Sequence, residues 1–246
     1  MATGIVLGGG GTKAFAHLGV LQALQEAGIK PDMISGASAG AIMGAFIADG
    51  KTPEETLGIM KLFDIMDYVS FNWPLTGLLD LDNLERKLKK RLAAKTFEEL
   101  KIPLYVAASN LRTGYVEYLG AGPLATAVKA SSSIPFLFEP VEIGGQKYCD
   151  GGLLDNLPYA PLKGKCETII TVNVARSREA GKLNDIVEIA LRAMEIVLGQ
   201  DKQSAVQESA MYIEPEGTEN YFLFDTGHAE ELFDLGYAHA KKMLGR

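Results

Sequence analysis

Residues 36–40 read Gly36, Ala37, Ser38, Ala39, Gly40, a serine with glycine two positions away on each side. In a strand-to-helix turn those glycines clear space for a sharp elbow. The Ser38 hydroxyl then projects above the helix N-terminus as a candidate nucleophile, and the N–H of Ala39 faces the same substrate oxygen. Upstream, Gly8, Gly9, Gly10 and Gly11 stand in a row ahead of Thr12, Lys13 and Ala14. Such a run lets the backbone turn with positive φ and brings several N–H groups close to an anion, next to the positive end of a helix. If both loops follow strands of a parallel sheet, they open on the same edge and bring oxyanion donors to the nucleophile.

The serine needs a base, and the chain has 3 histidines, His17, His228 and His239. His17, a helical turn past Lys13, reads as a buried, hydrogen-bonded structural residue, and His239 as one on the face of the last helix. His228 follows Asp225, Thr226 and Gly227 and an apolar run, 221–224, that reads as a strand. That order permits a Ser38, Asp150, His228 hydrolase for small soluble esters. Against it, Ser38 follows only the second strand, too early for the usual α/β-hydrolase order. The other base is Asp150, followed by Gly151 and Gly152 and preceded by Tyr148 and Cys149, apolar neighbours able to desolvate the carboxylate and raise its proton affinity. The same Asp-Gly-Gly also makes an ordinary turn.

Nucleotide readings fare less well. Gly9, Gly11 and Ala14 fit G-x-G-x-x-A, yet Gly36, Ala37 and Ser38 stand where a ribose-binding carboxylate should be. Lys13 lies between Thr12 and Ala14, so a P-loop fails. A non-catalytic nucleotide-binding module with an inert Ser38 stays open as an alternative.

Taken together, the glycine loop before a lysine, the elbow at 36–40 and Asp150-Gly151-Gly152, in that order, resemble the patatin-like phospholipases. Residues 130–135, Ala-Ser-Ser-Ser-Ile-Pro, and 155–158, Asp-Asn-Leu-Pro, are similar to that family too, and the likeness covers about residues 4–160. It implies a patatin-like three-layer α/β/α domain and a serine lipid acyl hydrolase acting on phospholipids, lysophospholipids or neutral lipids. By the same resemblance, Ser38 is the nucleophile, Asp150 the base of a two-residue dyad, and Gly9, Gly10 and Gly11 the oxyanion loop, beside the Ala39 donor that the elbow itself offers. Lys13, Gly36, Gly40, Gly151 and Gly152 support them, and no cofactor or metal is required. The family pattern has Arg then Gly where this chain has Lys13 then Ala14, which keeps the positive charge but loses the guanidinium fork.

The elements that must position these residues follow from punctuation and period. Apolar runs at 4–7 and 33–36 read as buried strands, each followed by a glycine loop and a helix, over 12–28 and 39–48. Thr52, Pro53, Glu54 and Glu55 supply a cap, a first-turn proline and acidic residues for the next helix. Leu81, Leu84, Leu88 and Leu92 recur at helical spacing, and 96–99 has the form of a capping box. Runs at 104–108, 115–119 and 168–174 read as strands, with a hairpin at Gly144 and Gly145 and an amphipathic C-terminal segment. Strand, loop and helix in succession predict one α/β domain, 1–246, with a mostly parallel central sheet.

Composition agrees with a globular domain: 246 residues, 47% apolar and 22% charged. A net charge of −7 has the wrong sign for a surface that tracks nucleic acid. Two cysteines, Cys149 and Cys166, make no disulfide framework, and with no basic leader before 4–7 a cytoplasmic location is expected, peripheral to the membrane at most. No apolar stretch is long enough to span a bilayer. An aromatic segment with Phe63, Met66, Tyr68, Phe71 and Trp73, and the basic residues Arg86, Lys87, Lys89, Lys90, Arg91 and Lys95, suggest a lipid-docking region, or else core and a solvated face. The expected partner is a lipid or acyl-ester substrate, with no nucleic acid.

Overall fold

In a computed structural model, which describes residues 1–62, 81–176, 179, 186–200, 202–224 and 226–245, the predicted strand-loop-helix rhythm forms a single sheet. Its strands are β1 Thr3–Leu7, β2 Met33–Ala37, β3 Leu104–Asn110, β4 Val116–Leu119, β5 Val141–Ile143, β6 Gln146–Asp150, β7 Thr168–Val172 and β8 Met211–Ile213. The order is β5-β6-β3-β2-β1-β7-β8, with β4 also paired to β3. The five strands from β3 to β8 in that order run parallel, while β4, β5 and β6 pair antiparallel.

The helices are α1 Phe15–Glu26, α2 Ala39–Ala48, α3 Pro53–Met60, α4 Asp82–Arg91, α5 Leu124–Ser131, α6 Ile186–Leu198, α7 Lys202–Glu208 and α8 Ala229–Met243. Both faces of the sheet are covered, as the alternation along β1 requires. Ile5 and Leu7 pack into the core formed with α1, α2, α5 and α8. Val6, between them, packs on the other face with Leu157, Leu162, Ile169 and Ala205 of α7.

The register along β3 matters most for the site. On β3, β2 pairs with Leu104 to Ala107, ending at Ala37 opposite Ala107. β6 pairs with Ala108 to Asn110, beginning with Asp150 opposite Ala108. β4 pairs across Val106 to Ser109 and so takes the other edge of β3. β2 and β6 therefore meet end to end along one edge.

Several local signals act as read. Thr52 forms a complete capping box with Glu55, and the hairpin between β5 and β6 turns through Gly144 and Gly145 at φ 58° and 76°, the left-handed pair such a tight turn needs. The leucine stripe at 81, 84, 88 and 92 is buried in the core, so α4 presents its charged side outward. Other signals need correction. Helix α1 starts at Phe15, because Gly11–Ala14 form a 3-10 turn. Thr96 makes no cap, since the Glu99 carboxylate accepts the N–H of Lys95 instead. Residues 221–224 are not a strand: the carbonyls of Phe222 and Leu223 accept from the hydroxyl and N–H of Thr12, tying the segment to the glycine loop rather than to a ladder. The aromatic segment at 63–79 lies outside the described residues, as does Asp225.

Helices α1 and α8 cross at backbone contact. A Cβ on Gly19 would lie 1.9 Å from the carbonyl oxygen of Phe233, and one on Gly236 would lie 2.1 Å from that of Ala16. Helix propensity favours alanine over glycine by about 1 kcal/mol, but the clash opposes it more strongly. Gly19→Ala is expected to destabilise the fold by about 2 to 3 kcal/mol, read as a lower urea midpoint; a raised midpoint would refute the close crossing.

Candidate active site

Ser38 sits between the end of β2 and the first turn of α2, at φ 53° and ψ −129°. Such a backbone costs a non-glycine residue on the order of 1 to 3 kcal/mol and persists only where the surroundings hold it. A Cβ on Gly40 would lie 2.2 Å from the Leu7 carbonyl oxygen, so a small residue there is what lets the elbow press against β1. The N–H of Ser38 donates to Ser131 Oγ at 2.9 Å. Its side chain is 7% exposed, and its hydroxyl donates to Asp150 Oδ2 at 2.7 Å, across 112 positions of sequence.

Asp150, at the end of β6, is fully buried. Its other carboxylate oxygen accepts the N–H of Gly152 at 2.8 Å, its own N–H donates to the Ser133 carbonyl at 2.9 Å, and its carbonyl accepts from Ser109 Oγ at 2.8 Å. Burial pushes the carboxyl up to about 7, while the Ser38 and Gly152 hydrogen bonds pull the other way. The serine run at 131–133 thus supports both residues: Ser131 orients Ser38 and Ser133 orients Asp150.

The glycine loop comes up beside them, and a Cβ on Gly9 would be 3.0 Å from Ser38 Cβ. Its amides are not equivalent. Gly8 N–H donates to Val172, and Gly9 N–H donates to Asn156 Oδ1 at 2.9 Å. Gly10 and Gly11 N–H meet no partner among the described residues, and Gly11 has φ 58°. Ala39, the first residue of α2, offers an N–H next to Ser38. Lys13 is buried and its ammonium donates to the Arg176 carbonyl at 3.1 Å, while Ala14 sits in the ordinary right-handed region at φ −62°. The loop therefore accommodates alanine at 14 without strain. Gly36, Gly40, Gly151 and Gly152 flank the pair on either side; a Cβ on Gly151 would strike the Ala107 carbonyl at 2.1 Å.

Neither His17 nor His228 hydrogen-bonds Ser38 or Asp150. His17 Nε2 hydrogen-bonds the Gly8 carbonyl at 2.7 Å, and full burial lowers the ring to about 4, so it is neutral and structural. His228 is bonded to Glu231 at 3.0 Å and meets the Tyr221 ring edge-on. Asp150 divides its oxygens between Ser38 and Gly152, so the Ser38, Asp150, His228 order found in the sequence does not become a hydrogen-bonded relay. Among the described residues no cluster of three His, Cys, Asp or Glu side chains stands ready for a metal ion, and no helix is long and apolar enough to cross a membrane. A cavity of 370 Å³ adjoins the turn after Asp150, with Gly152, Asn156, Tyr118 and Val197 in its wall. Sequence reasoning gave no role to Asn156, Ser131 or Ser133. Their only signal was the similarity of the segments that contain them to a known family.

Comparison with known proteins identifies the family and the fold. The family model described as patatin-like phospholipase matches residues 5–163. The lysophospholipase NTE1 of Candida glabrata is 29% identical over 276 residues, covering 99% of this chain and 16% of that protein. An uncharacterized NTE family protein of Mycobacterium tuberculosis is 33% identical over 184 residues, covering 74% of this chain and 51% of its own length. The chain thus spans about half the length of the mycobacterial relative and far less of the yeast one. Among solved structures, VipD from Legionella pneumophila has the same fold, with a TM-score of 0.59 at 20% identity, covering 99% of this chain and 67% of that one.

The burial of Asp150 makes a prediction about stability. An unfolded aspartate titrates at its ordinary 3.8, and this one at about 7. Between those values the folded state keeps a proton that the unfolded state has released, so stability is full below the lower value and falls as pH rises through the higher one. Asn at 150 can accept from Gly152 and donate to Ser38 without a charge. Asp150→Asn is therefore expected to raise the unfolding free energy at pH 8 by on the order of 4 kcal/mol, and much less at pH 4. Equal effects at the two pH values in urea titrations would contradict it.

Proposed function

The chain belongs to the patatin-like phospholipase family, and on that premise we propose that it is a serine hydrolase of lipid acyl esters that works with a Ser38–Asp150 dyad. The observation that carries this reading is the 2.7 Å hydrogen bond from the Ser38 hydroxyl to the buried Asp150 carboxylate. Serine is a weak nucleophile at its own pKa and gains reactivity from an adjacent base. A carboxyl that titrates at about 7 is matched to proton transfer near neutral pH.

In the proposed reaction Ser38 Oγ attacks the ester carbonyl while Asp150 takes its proton. The oxyanion that forms is held by the N–H groups of Gly10, Gly11 and Ala39, with the Gly9 amide committed to the loop's own support. The intermediate collapses, and Asp150 returns the proton to the departing alcohol. A water, deprotonated by Asp150, then attacks the acyl-serine; as the second intermediate collapses Asp150 returns that proton to Ser38 Oγ, which regenerates both residues and releases the fatty acid. The name of the Candida relative, a lysophospholipase, supports a phospholipid with a single acyl chain as substrate.

The test is fatty-acid release from a fluorescent acyl ester and from a lysophospholipid. Ser38→Ala and Asp150→Asn are expected to lower kcat by about 1,000-fold or more. His228→Ala keeps turnover, since His228 is engaged by Glu231. Loss of activity in His228→Ala with Asp150→Asn still active would replace the dyad by another base. Activity in the unmodified protein should rise with pH through about 7, as Asp150 gives up its proton, and a flat profile from pH 5 to 9 would contradict an aspartate base.

A further inference from the structure

We propose that Asn156 is a positioning residue for hydrolysis: it locks the Gly9 peptide so that the following amides face the serine, and it ties the glycine loop to the turn that carries Asp150. The inference rests on the Ser38–Asp150 reading. Asn156 is buried, and its side chain treats Gly9 as a neighbouring strand would. Oδ1 accepts the Gly9 N–H at 2.9 Å, and Nδ2 approaches the Gly9 carbonyl at 3.5 Å, the outer limit of a hydrogen bond. Nδ2 also donates to the Leu198 carbonyl at 3.1 Å, at the end of α6.

A trans peptide directs its C=O and N–H to opposite sides. Drawing the Gly9 carbonyl toward Asn156 therefore turns the Gly10 N–H away from Asn156. Gly9 itself lies between the asparagine and the serine: a Cβ there would be 2.6 Å from Asn156 Oδ1 and 3.0 Å from Ser38 Cβ.

Room for this amide has been made on both sides. A Cβ on Gly152 would lie 2.8 Å from Asn156 Oδ1 and 3.1 Å from Asp150 Oδ1, so glycine at 9 and at 152 admits the same side chain. The asparagine is itself rigidly presented. Asp155 accepts from the Leu157 N–H at 3.2 Å and from the Tyr118 hydroxyl of β4 at 2.6 Å, and Ser35 of β2 donates to the Pro158 carbonyl. Both strands thereby anchor the segment that fixes the loop.

Two variants test the inference beside Ser38→Ala, with a short-chain nitrophenyl ester as substrate. Asn156→Ala removes the lock and should lower kcat about 10- to 100-fold, with KM little changed. The rate at which a fluorophosphonate labels Ser38 should fall in parallel. Asn156→Asp keeps an acceptor for the Gly9 N–H but places a second carboxylate within about 6 Å of Asp150. Like charge raises the proton affinity of the base, so the acid limb of the pH profile should move upward by about one unit or more.

A merely structural asparagine would lose activity only in proportion to the folded fraction, measured by circular dichroism, with kcat per folded molecule and the labelling rate of Ser38 unmoved. Asn156→Asp, which lacks the Nδ2 donor to the Gly9 carbonyl, should also lose kcat on the plateau above its pH midpoint; wild-type kcat per folded molecule in Asn156→Ala, or on that plateau in Asn156→Asp, overturns the inference. Should the alanine variant fail to fold, the aspartate variant decides. Retained turnover in Ser38→Ala overturns the hydrolase reading instead, and the positioning role with it.

Discussion

The site depends on two strand ends sharing one edge of β3. Ala37 stands opposite Ala107, and Asp150 stands opposite the next residue, Ala108. Adjacent residues of a strand are separated by about 3.3 Å, so the chain leaving β2 and the chain ending β6 are brought within side-chain reach by the ladder itself. No flexible loop has to close over the gap. The abutment leaves little space, which is why a small residue is needed at each joint: Gly40 presses on the Leu7 carbonyl and Gly151 on the Ala107 carbonyl. A side chain at Gly40 would push the elbow off β1, and one at Gly151 would push the turn after Asp150 off β3, and either would displace the hydroxyl from the carboxylate.

That arrangement works against stability in two ways, and the same contacts answer both. Ser38 is held at positive φ, and a carboxyl group is buried without a cation. Ser131 fixes the backbone of the first, while Ser133, Ser109 and Gly152 satisfy the polar groups of the second. The hydrogen bonds hold the strain in place without removing it. A site whose ground state is unfavourable in this way is expected where rigidity serves chemistry.

Much of this was legible in the sequence because it rests on local rules. Glycine spacing around Ser38, the Thr52 cap and the Gly144-Gly145 turn each act within a few residues, and each appears as read. What was misread depends on partners that composition and spacing do not name, most of them distant. The 221–224 run has the composition of a strand, but Thr12, 210 positions away from Phe222, claims its carbonyls. Thr96 has the spacing of a capping box, yet Glu99 turns to the N–H of Lys95. Asn156 gave no periodic or charge signal, since its importance lies in a contact with Gly9, 147 positions away. The family resemblance marked its segment without saying what the amide touches.

The histidines show why a carboxylate suffices in the proposed mechanism. An imidazole in this environment would lose its basicity: His17, one helical turn beyond the glycine loop, is buried and lowered to about 4. Burial disfavours the charged form of either kind of group, so it weakens a histidine as a base and strengthens an aspartate. The same dry surroundings that leave His17 neutral beneath the Gly8 carbonyl raise Asp150 to about 7. In a pocket this closed, the aspartate is the side chain whose proton affinity burial moves in the useful direction. The proposed dyad and the depth of the site are therefore one feature, set by how tightly β2 and β6 meet on β3.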